Sequence, residues 1–406
     1  MSNQPNNQKQ PLSFVVILGA LTAIGALSID MFLPGLPQIQ SDFNTTTSNV
    51  QLTLSFFMIG LAIGNLFVGP ISDAVGRKKP LFIAMSLFTL ASIGIIFVDN
   101  IWFMVALRFV QGFCGGAAAV ISRAISSDLY SGKQLTKFLA LLMLVNGVAP
   151  VLAPALGGVI LSFATWHMVF VILTIFGVSM LLGTLFKIPE SLAPEQRDSP
   201  RLGNIFMNFK QLLQTPRFVL PMLIQGVTFI ILFSYISASP FITQRIYNIS
   251  AQHFSIMFAT IGITLIISSQ LTGKMVDYID RQVLLRILTI IQLIGVAVVI
   301  VTLFTHASIW LLFIGFIILV APVTGVATLG FSIAMDERTG GNGSASSLLG
   351  LIQFLLGGLI SPLVGIMGED SYIPYVVIIM IAGVLLILLQ VINYYVFKHI
   401  PSVNKN

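Results

Sequence analysis

Asp30 is the only acidic residue inside any long apolar segment of this chain. A carboxylate in hydrocarbon is costly, which makes such a residue a functional candidate by default. The chemistry open to it is proton exchange: it becomes neutral by taking a proton from one side and charged by releasing it to the other. It lies ~24 Å past Phe14 along a helix rising ~1.5 Å per residue. A second role therefore also fits, in which the carboxyl caps or solvates the polar end of its helix. Arg108 is the matching intramembrane cation. At helical spacing Arg108, Gln111, Gly112, Gly115 and Gly116 share one face, with a charge and an amide followed by small residues that let helices approach. Arg108 can pair with Asp30, directly or through water, or bond to helix-end carbonyls.

A charged turn is the second constellation. GPISDAVGRKK starts at Gly69 and GKMVDYIDRQ at Gly273. Both read Gly, three residues, Asp, then Arg four residues later: Gly69, Asp73, Arg77 against Gly273, Asp277, Arg281. The plain reading is a tight turn with basic residues at a membrane face. The functional reading is a charge cluster in which Arg77 pairs with Asp128 and latches a gate, with Asp73 at a helix end and Lys78 beside it.

Polar residues within apolar runs include Gln111, Asn146, Gln225, Tyr235, Ser239, Gln270 and Gln353. They bond to neighbouring helices or line a cavity. Phe and Met are abundant, at 31 and 15 residues, and suit a permissive apolar pocket as well as plain packing. Pro150 and Pro154 each remove an internal hydrogen bond and tend to kink their helix. The four histidines make no metal-ligand spacing, and the lone Cys114 reads as a packing residue. No H-E-x-x-H, G-x-S-x-G or G-x-x-x-x-G-K-[ST] motif occurs, which disfavours an intramembrane enzyme and direct ATP drive. No metal or cofactor is expected.

These residues need elements to hold them. The chain has 406 residues, 56% hydrophobic and 8% charged, with a mean hydropathy of +0.98. Soluble domains carry about 25% charged residues, so most of this surface must face lipid. A span needs about 20 apolar residues. Twelve are predicted, over 12–35, 49–69, 81–98, 101–127, 137–162, 167–186, 218–240, 254–273, 284–304, 308–332, 343–367 and 372–396. With the N-terminus inside, nearly all Lys and Arg outside the spans fall on that side, and the outer loops hold only Arg245. The net charge of +6 is thus a topology signal and leaves no contiguous basic face for nucleic acid. The segment 187–217 is Pro- and charge-rich and divides the chain into an N-terminal bundle (1–186), a cytoplasmic linker and a C-terminal bundle (218–406). The repeated turn sits at the same place in each half, as expected for duplicated halves.

Taken together, these features resemble the major facilitator superfamily. The pattern G-x-x-x-D-x-x-G-R-K matches at Gly69, Asp73, Gly76, Arg77 and Lys78, and in the second half Asp280 replaces the second Gly. LRFVQGFCGG is similar to the family's R-x-x-Q-G motif at Arg108, Gln111 and Gly112. NGVAPVLAPALGG is similar to the motif associated with drug–proton antiporters at Gly147, Pro154, Gly157 and Gly158, with Ala153 where Gly usually precedes Pro. SIDMFLPGLP and FSYISASPFI are similar to the Bcr/CflA drug-resistance subfamily. The resemblance implies an all-α membrane fold of two pseudo-symmetric six-helix bundles around a central cavity. It also implies proton-driven export of small amphipathic drugs by a functional monomer, and supports a coupling role for Arg108. The expected location is a bacterial cytoplasmic membrane with both termini cytoplasmic. Proton-coupled uptake of a nutrient or metabolite is the alternative.

Overall fold

The computed structural model describes residues 12–130, 142, 152–194, 197, 209–337 and 342–399. Every regular element among them is helical. In chain order these are α1 (Leu12–Asp30), a 3-10 turn (Leu33–Gly35), α2 (Leu36–Asp42), α3 (Thr47–Val75), α4 (Lys78–Ile96) and α5 (Ile101–Leu129). α6 (Leu152–Leu161) and α7 (His167–Lys187) follow. Then come α8 (Pro216–Phe241), a π turn (Ile242–Ile246), α9 (Ala251–Met275), α10 (Arg281–Phe304), α11 (Ile309–Val320), α12 (Pro322–Asp336), α13 (Asn342–Val364) and α14 (Ile373–His399). Among the described residues, eleven helical stretches are long and apolar enough to cross a membrane, α6 being a shorter apolar helix.

The expected helix over 12–35 is broken. α1 stops at Asp30, and the chain passes through a 3-10 turn at Leu33–Gly35 before resuming as α2. Pro34 and Pro37 have no N–H to continue the ladder. The break leaves carbonyls of the last α1 turn in need of partners. Elsewhere three helices, α5, α9 and α10, start on a polar side chain that caps them. Asn100 accepts from the Trp102 N–H at 2.8 Å and Ser250 from the His253 N–H at 3.3 Å. Asp280 accepts from the Gln282 and Val283 N–H groups at 2.9 and 3.2 Å.

Packing divides the chain into two units, Met1–Gly35 with Phe56–Arg201, and Leu36–Ser55 with Leu202–Asn406. In the first, Phe14, Leu18 and Leu21 of α1 meet Met85 and Phe88 of α4 and the buried Cys114 of α5. Glycines set the α3–α5 crossing. A methyl on Gly60 or Gly64 would run into the Phe109 or Phe113 carbonyl, and one on Gly112 or Gly116 into the Phe57 or Leu61 carbonyl. Gly115 faces α1 instead, its missing methyl lying 3.6 Å from Ile24. Small-xxx-small pairs on both helices permit this approach.

In the second unit, Ser48 donates to the Pro362 carbonyl at 2.8 Å and Gln51 to the Ser237 carbonyl at 3.2 Å. Those bonds hold the segment Leu36–Ser55 within that unit. Arg245 pairs with Glu369 at 3.1 Å and donates to Ser41 Oγ at 3.1 Å. Between α13 and α14 the chain turns at Gly368, which sits at φ +94°, a conformation that favours glycine.

Candidate functional site

In the first unit both intramembrane charges are buried, and Arg108 of α5 bonds to the last turn of α1, which ends at Asp30. Arg108 is fully buried and Asp30 is 7% exposed. Arg108 Nη1 donates to the Ser28 carbonyl at 3.0 Å, in the last turn of α1, two residues before Asp30. The same nitrogen donates to Gln111 Oε1 at 3.0 Å, and Gln111 Nε2 donates to Ser92 Oγ at 2.8 Å. The guanidinium also lies over the rings of Phe57 and Phe32, 4.3 and 4.5 Å from their centroids, with Phe170 at 5.9 Å. Aromatic faces are a favourable bed for a desolvated cation. Among the described residues, Asp30 and Arg108 form no ion pair. Arg108 Nε and Nη2 and Ser28 Oγ are buried without a hydrogen-bond partner. The site therefore holds a cation anchored through one nitrogen, two spare donors and a buried carboxyl at a helix break.

The charged turn is a network rather than one pair. Arg77 Nε donates to Asp128 Oδ2 at 2.9 Å and its Nη1 to Ser72 Oγ at 2.7 Å and to Asp73. The Arg77 and Lys78 N–H groups donate to Glu190 at 2.8 and 3.2 Å, and Lys78 Nζ to the Leu185 carbonyl at 2.8 Å. Ser191 Oγ donates to Asp128 at 2.7 Å. Gly76 sits at φ +95°, where a side chain would also meet Glu190. Burial works against the Arg77 cation, but the bonds and charges of Asp128 and Asp73 outweigh it and raise its pKa above the usual guanidinium value. All these partners belong to the first unit, so the cluster clamps the α3–α4 turn to the end of α5 and the chain after α7. Gly69 is packed against Val120. Glu190 has no motif to mark it, because its partners lie more than a hundred residues away in sequence.

The second copy of the turn is built differently. Arg281 Nη1 pairs with Asp336 at 2.6 Å and donates to Ser332 Oγ at 2.9 Å, matching Arg77 and Asp128. Asp280, at φ −54°, is an N-cap where the first copy has a positive-φ glycine. The Asp is thus a different way of turning the corner.

Of the polar residues singled out from the sequence, Gln225 donates to Gln353 Oε1 at 3.1 Å. Tyr235 stacks on Phe258 and meets Phe316 edge-on, with centroids 5.6 and 4.9 Å apart. Ser239 is buried, and its Oγ has no partner among the described residues. Gln111 uses both ends of its amide within the Arg108 site. In the fifth span, Pro154 and Gly158 are buried, and a methyl on Gly157 would run into the Met31 carbonyl just past Asp30. Asn146, Gly147 and Pro150 lie outside the described residues. Two features have no sequence signal. One is the Phe32–Phe57–Phe170 bed, since phenylalanine is common throughout the chain. The other is the buried pair of Arg217 and Glu337, 3.5 Å apart, with Arg217 over Phe397 at 4.3 Å.

Comparison with known proteins agrees with this architecture. The Major Facilitator Superfamily profile matches residues 18–362. The chain is 39% identical to the uncharacterized MFS-type transporter YdgK of Bacillus subtilis, covering 93% of this chain and 94% of that one. It is 31% identical to the bicyclomycin resistance protein homolog of Haemophilus influenzae, covering 91% and 93%. It is 28% identical to the multidrug resistance protein MdtL of Escherichia coli, covering 92% and 95%. A solved bacterial homolog to the human lysosomal transporter Spinster, inward-facing and occupied, superposes with a TM-score of 0.77 at 13% identity, covering 95% and 96%. The chain is a multi-pass membrane protein and belongs to the Major Facilitator Superfamily of transporters.

Proposed function

We propose that this transporter exports small amphipathic drugs or antibiotics in exchange for protons, by alternating access, with Asp30 as the coupling carboxyl. The observation that carries the reading is a buried Asp30 at the break in α1, two residues beyond the Ser28 carbonyl that holds the incompletely bonded Arg108. The names of two relatives, a bicyclomycin resistance protein homolog and a multidrug resistance protein, support the class of cargo.

In this reading the site acts as a local switch. With Asp30 protonated, Arg108 rests on the Ser28 carbonyl and the two phenyl faces. Once Asp30 is ionised, its carboxylate, two residues beyond Ser28 on α1, can draw the free Nε and Nη2 donors of Arg108 on α5. A charge-assisted pair replaces a neutral acceptor, and the α1 break is the element that can shift with it. Proton uptake from outside and release to the cytoplasm then bias two arrangements of α1 against α5. Polar groups of α8 and α13, including Gln225, Tyr235, Ser239 and Gln353, supply cargo contacts in this reading.

The driving force suffices. One proton moving through 100 mV yields about 2.3 kcal/mol, and one pH unit adds about 1.4 kcal/mol. Their sum sustains a gradient of a few hundredfold for a neutral cargo. The protein works here as a monomer without cofactor, in the cytoplasmic membrane, with both termini inside.

Accumulation assays in energised bacterial cells test the assignment. Cells expressing the chain should retain less of at least one antibiotic or dye than control cells, and a protonophore should erase the difference. Equal retention across a broad panel, with correctly inserted protein, would contradict drug export and favour a narrow metabolite carrier.

A further inference from the structure

The second unit contains a groove between α10 and α14 that the transport reading does not use. Its volume is about 420 Å³, and its walls include Arg286, Thr289, Leu293, Ile387, Gln390 and Tyr394. A pocket of about 190 Å³ shares Arg286 and Tyr394 and adds Gln282, Asn393 and Lys398. One end is apolar and open to the lipid side, where Ile290, Ile387 and Val391 are half-exposed. The other end is basic and polar. It coincides with the start of α10 and the end of α14.

Arg286 and Lys398 flank the Tyr394 ring, at 5.3 and 5.9 Å from its centroid. Among the described residues neither forms an ion pair. Three buried polar atoms there also have no partner: Gln282 Nε2, Gln390 Oε1 and Asn393 Oδ1. The far ends of those amides are fixed. Gln390 Nε2 donates to Thr289 Oγ1 and Asn393 Nδ2 to Gln282 Oε1, both at 2.8 Å. Asn393 is only 1% exposed. Buried polar groups are normally satisfied, and a bound ligand headgroup would satisfy this set.

The unmet groups define that ligand. It carries negative charge for two cations, accepts from one amide nitrogen, donates to two amide oxygens and has an apolar tail. We propose that the α10–α14 groove holds one anionic glycerophospholipid with a hydroxyl-bearing headgroup, of the phosphatidylglycerol class. Its phosphate sits between Arg286 and Lys398. Its headgroup hydroxyls donate to Gln390 and Asn393. An acyl chain lies along Ile290, Leu293, Ile387 and Val391. Basic pockets between membrane helices are suited to such headgroups. The proposal rests on multi-pass embedding and is independent of the direction or cargo of transport.

Native mass spectrometry of the delipidated full chain tests it, using phosphatidylglycerol and phosphatidylethanolamine with identical acyl chains. The wild type should bind one phosphatidylglycerol per chain, about 30-fold more tightly than phosphatidylethanolamine, as expected for two basic contacts. Arg286→Gln with Lys398→Gln should remove that preference while the protein still unfolds cooperatively. Equal binding of both lipids to the wild type would mean ordinary surrounding lipid and would overturn the proposal, as would an unchanged preference in the double variant. If the double variant does not fold, Val391→Trp decides, because it blocks the acyl path and keeps both charges. Loss of the tight phosphatidylglycerol complex supports the site, and undiminished affinity overturns it.

Discussion

Arg108 owes its place to three kinds of contact at once: a helix-end carbonyl, an amide and two aromatic faces. A guanidinium can serve all three because it is planar and forked, and an ammonium cannot. Arg108→Lys should therefore keep the charge, preserve folding and lower proton-coupled export at least about tenfold, measured as initial efflux rate in energised cells. Wild-type rates in that variant would show that charge alone matters. Asp30 is legible in the sequence as the single acid in an apolar run, and so is the presence of an intramembrane cation to accompany it. The bond to Ser28 is not, because it depends on where α1 stops. The phenyl bed is hidden for another reason: nothing distinguishes Phe32, Phe57 and Phe170 from the many phenylalanines that only pack.

At the scale of elements, spans are legible and their interruptions less so. Apolar length marks α3 to α5, α7 to α10, α11 with α12 as one span, α13 and α14, whereas the split of the first span at Pro34 and Pro37 needs the chain to choose a break over a kink. The repeated turn is readable from spacing alone, and Arg77 does meet Asp128 as expected from that turn. Its tie to Glu190 and the capping role of Asp280 require three dimensions.

Substitutions at the helix crossing and at the turns belong at this scale. Gly112→Ala places a methyl on the Phe57 carbonyl at the α3–α5 crossing. It should cost about 1–3 kcal/mol, as overpacking does, and lower the thermal midpoint in detergent. Gly273→Ala, with nothing within 4 Å of the added methyl, should leave the midpoint unchanged or raised. Arg77→Ala should slow turnover more than it weakens cargo affinity, read from separate binding and transport assays, and lost affinity with normal turnover would argue against a clamp. The Arg77 pKa is raised, so its stabilising contribution is complete below the unfolded guanidinium value and is lost only as pH rises through the still higher folded value. The stability deficit of Arg77→Ala should accordingly be the same at about pH 6 and about pH 8.

For the whole molecule, composition by itself points to a membrane, and the placement of Lys and Arg along the chain gives only an expected orientation. The family follows from motifs spread over most of the chain and agrees with the profile match and the relatives. What no sequence pattern conveys is that Leu36–Ser55 packs with the second unit through Ser48 and Gln51. Those bonds join residues far apart in the chain, and neither residue belongs to a motif. Coupling across the whole transporter nevertheless reduces to one titrating group in this account. Its most direct test is substrate-induced proton release from everted vesicles held acidic inside, comparing wild type with Asp30→Asn. The account predicts a signal with at least one drug in the wild type and none in folded Asp30→Asn. An undiminished signal in the variant would contradict Asp30 as the coupling site.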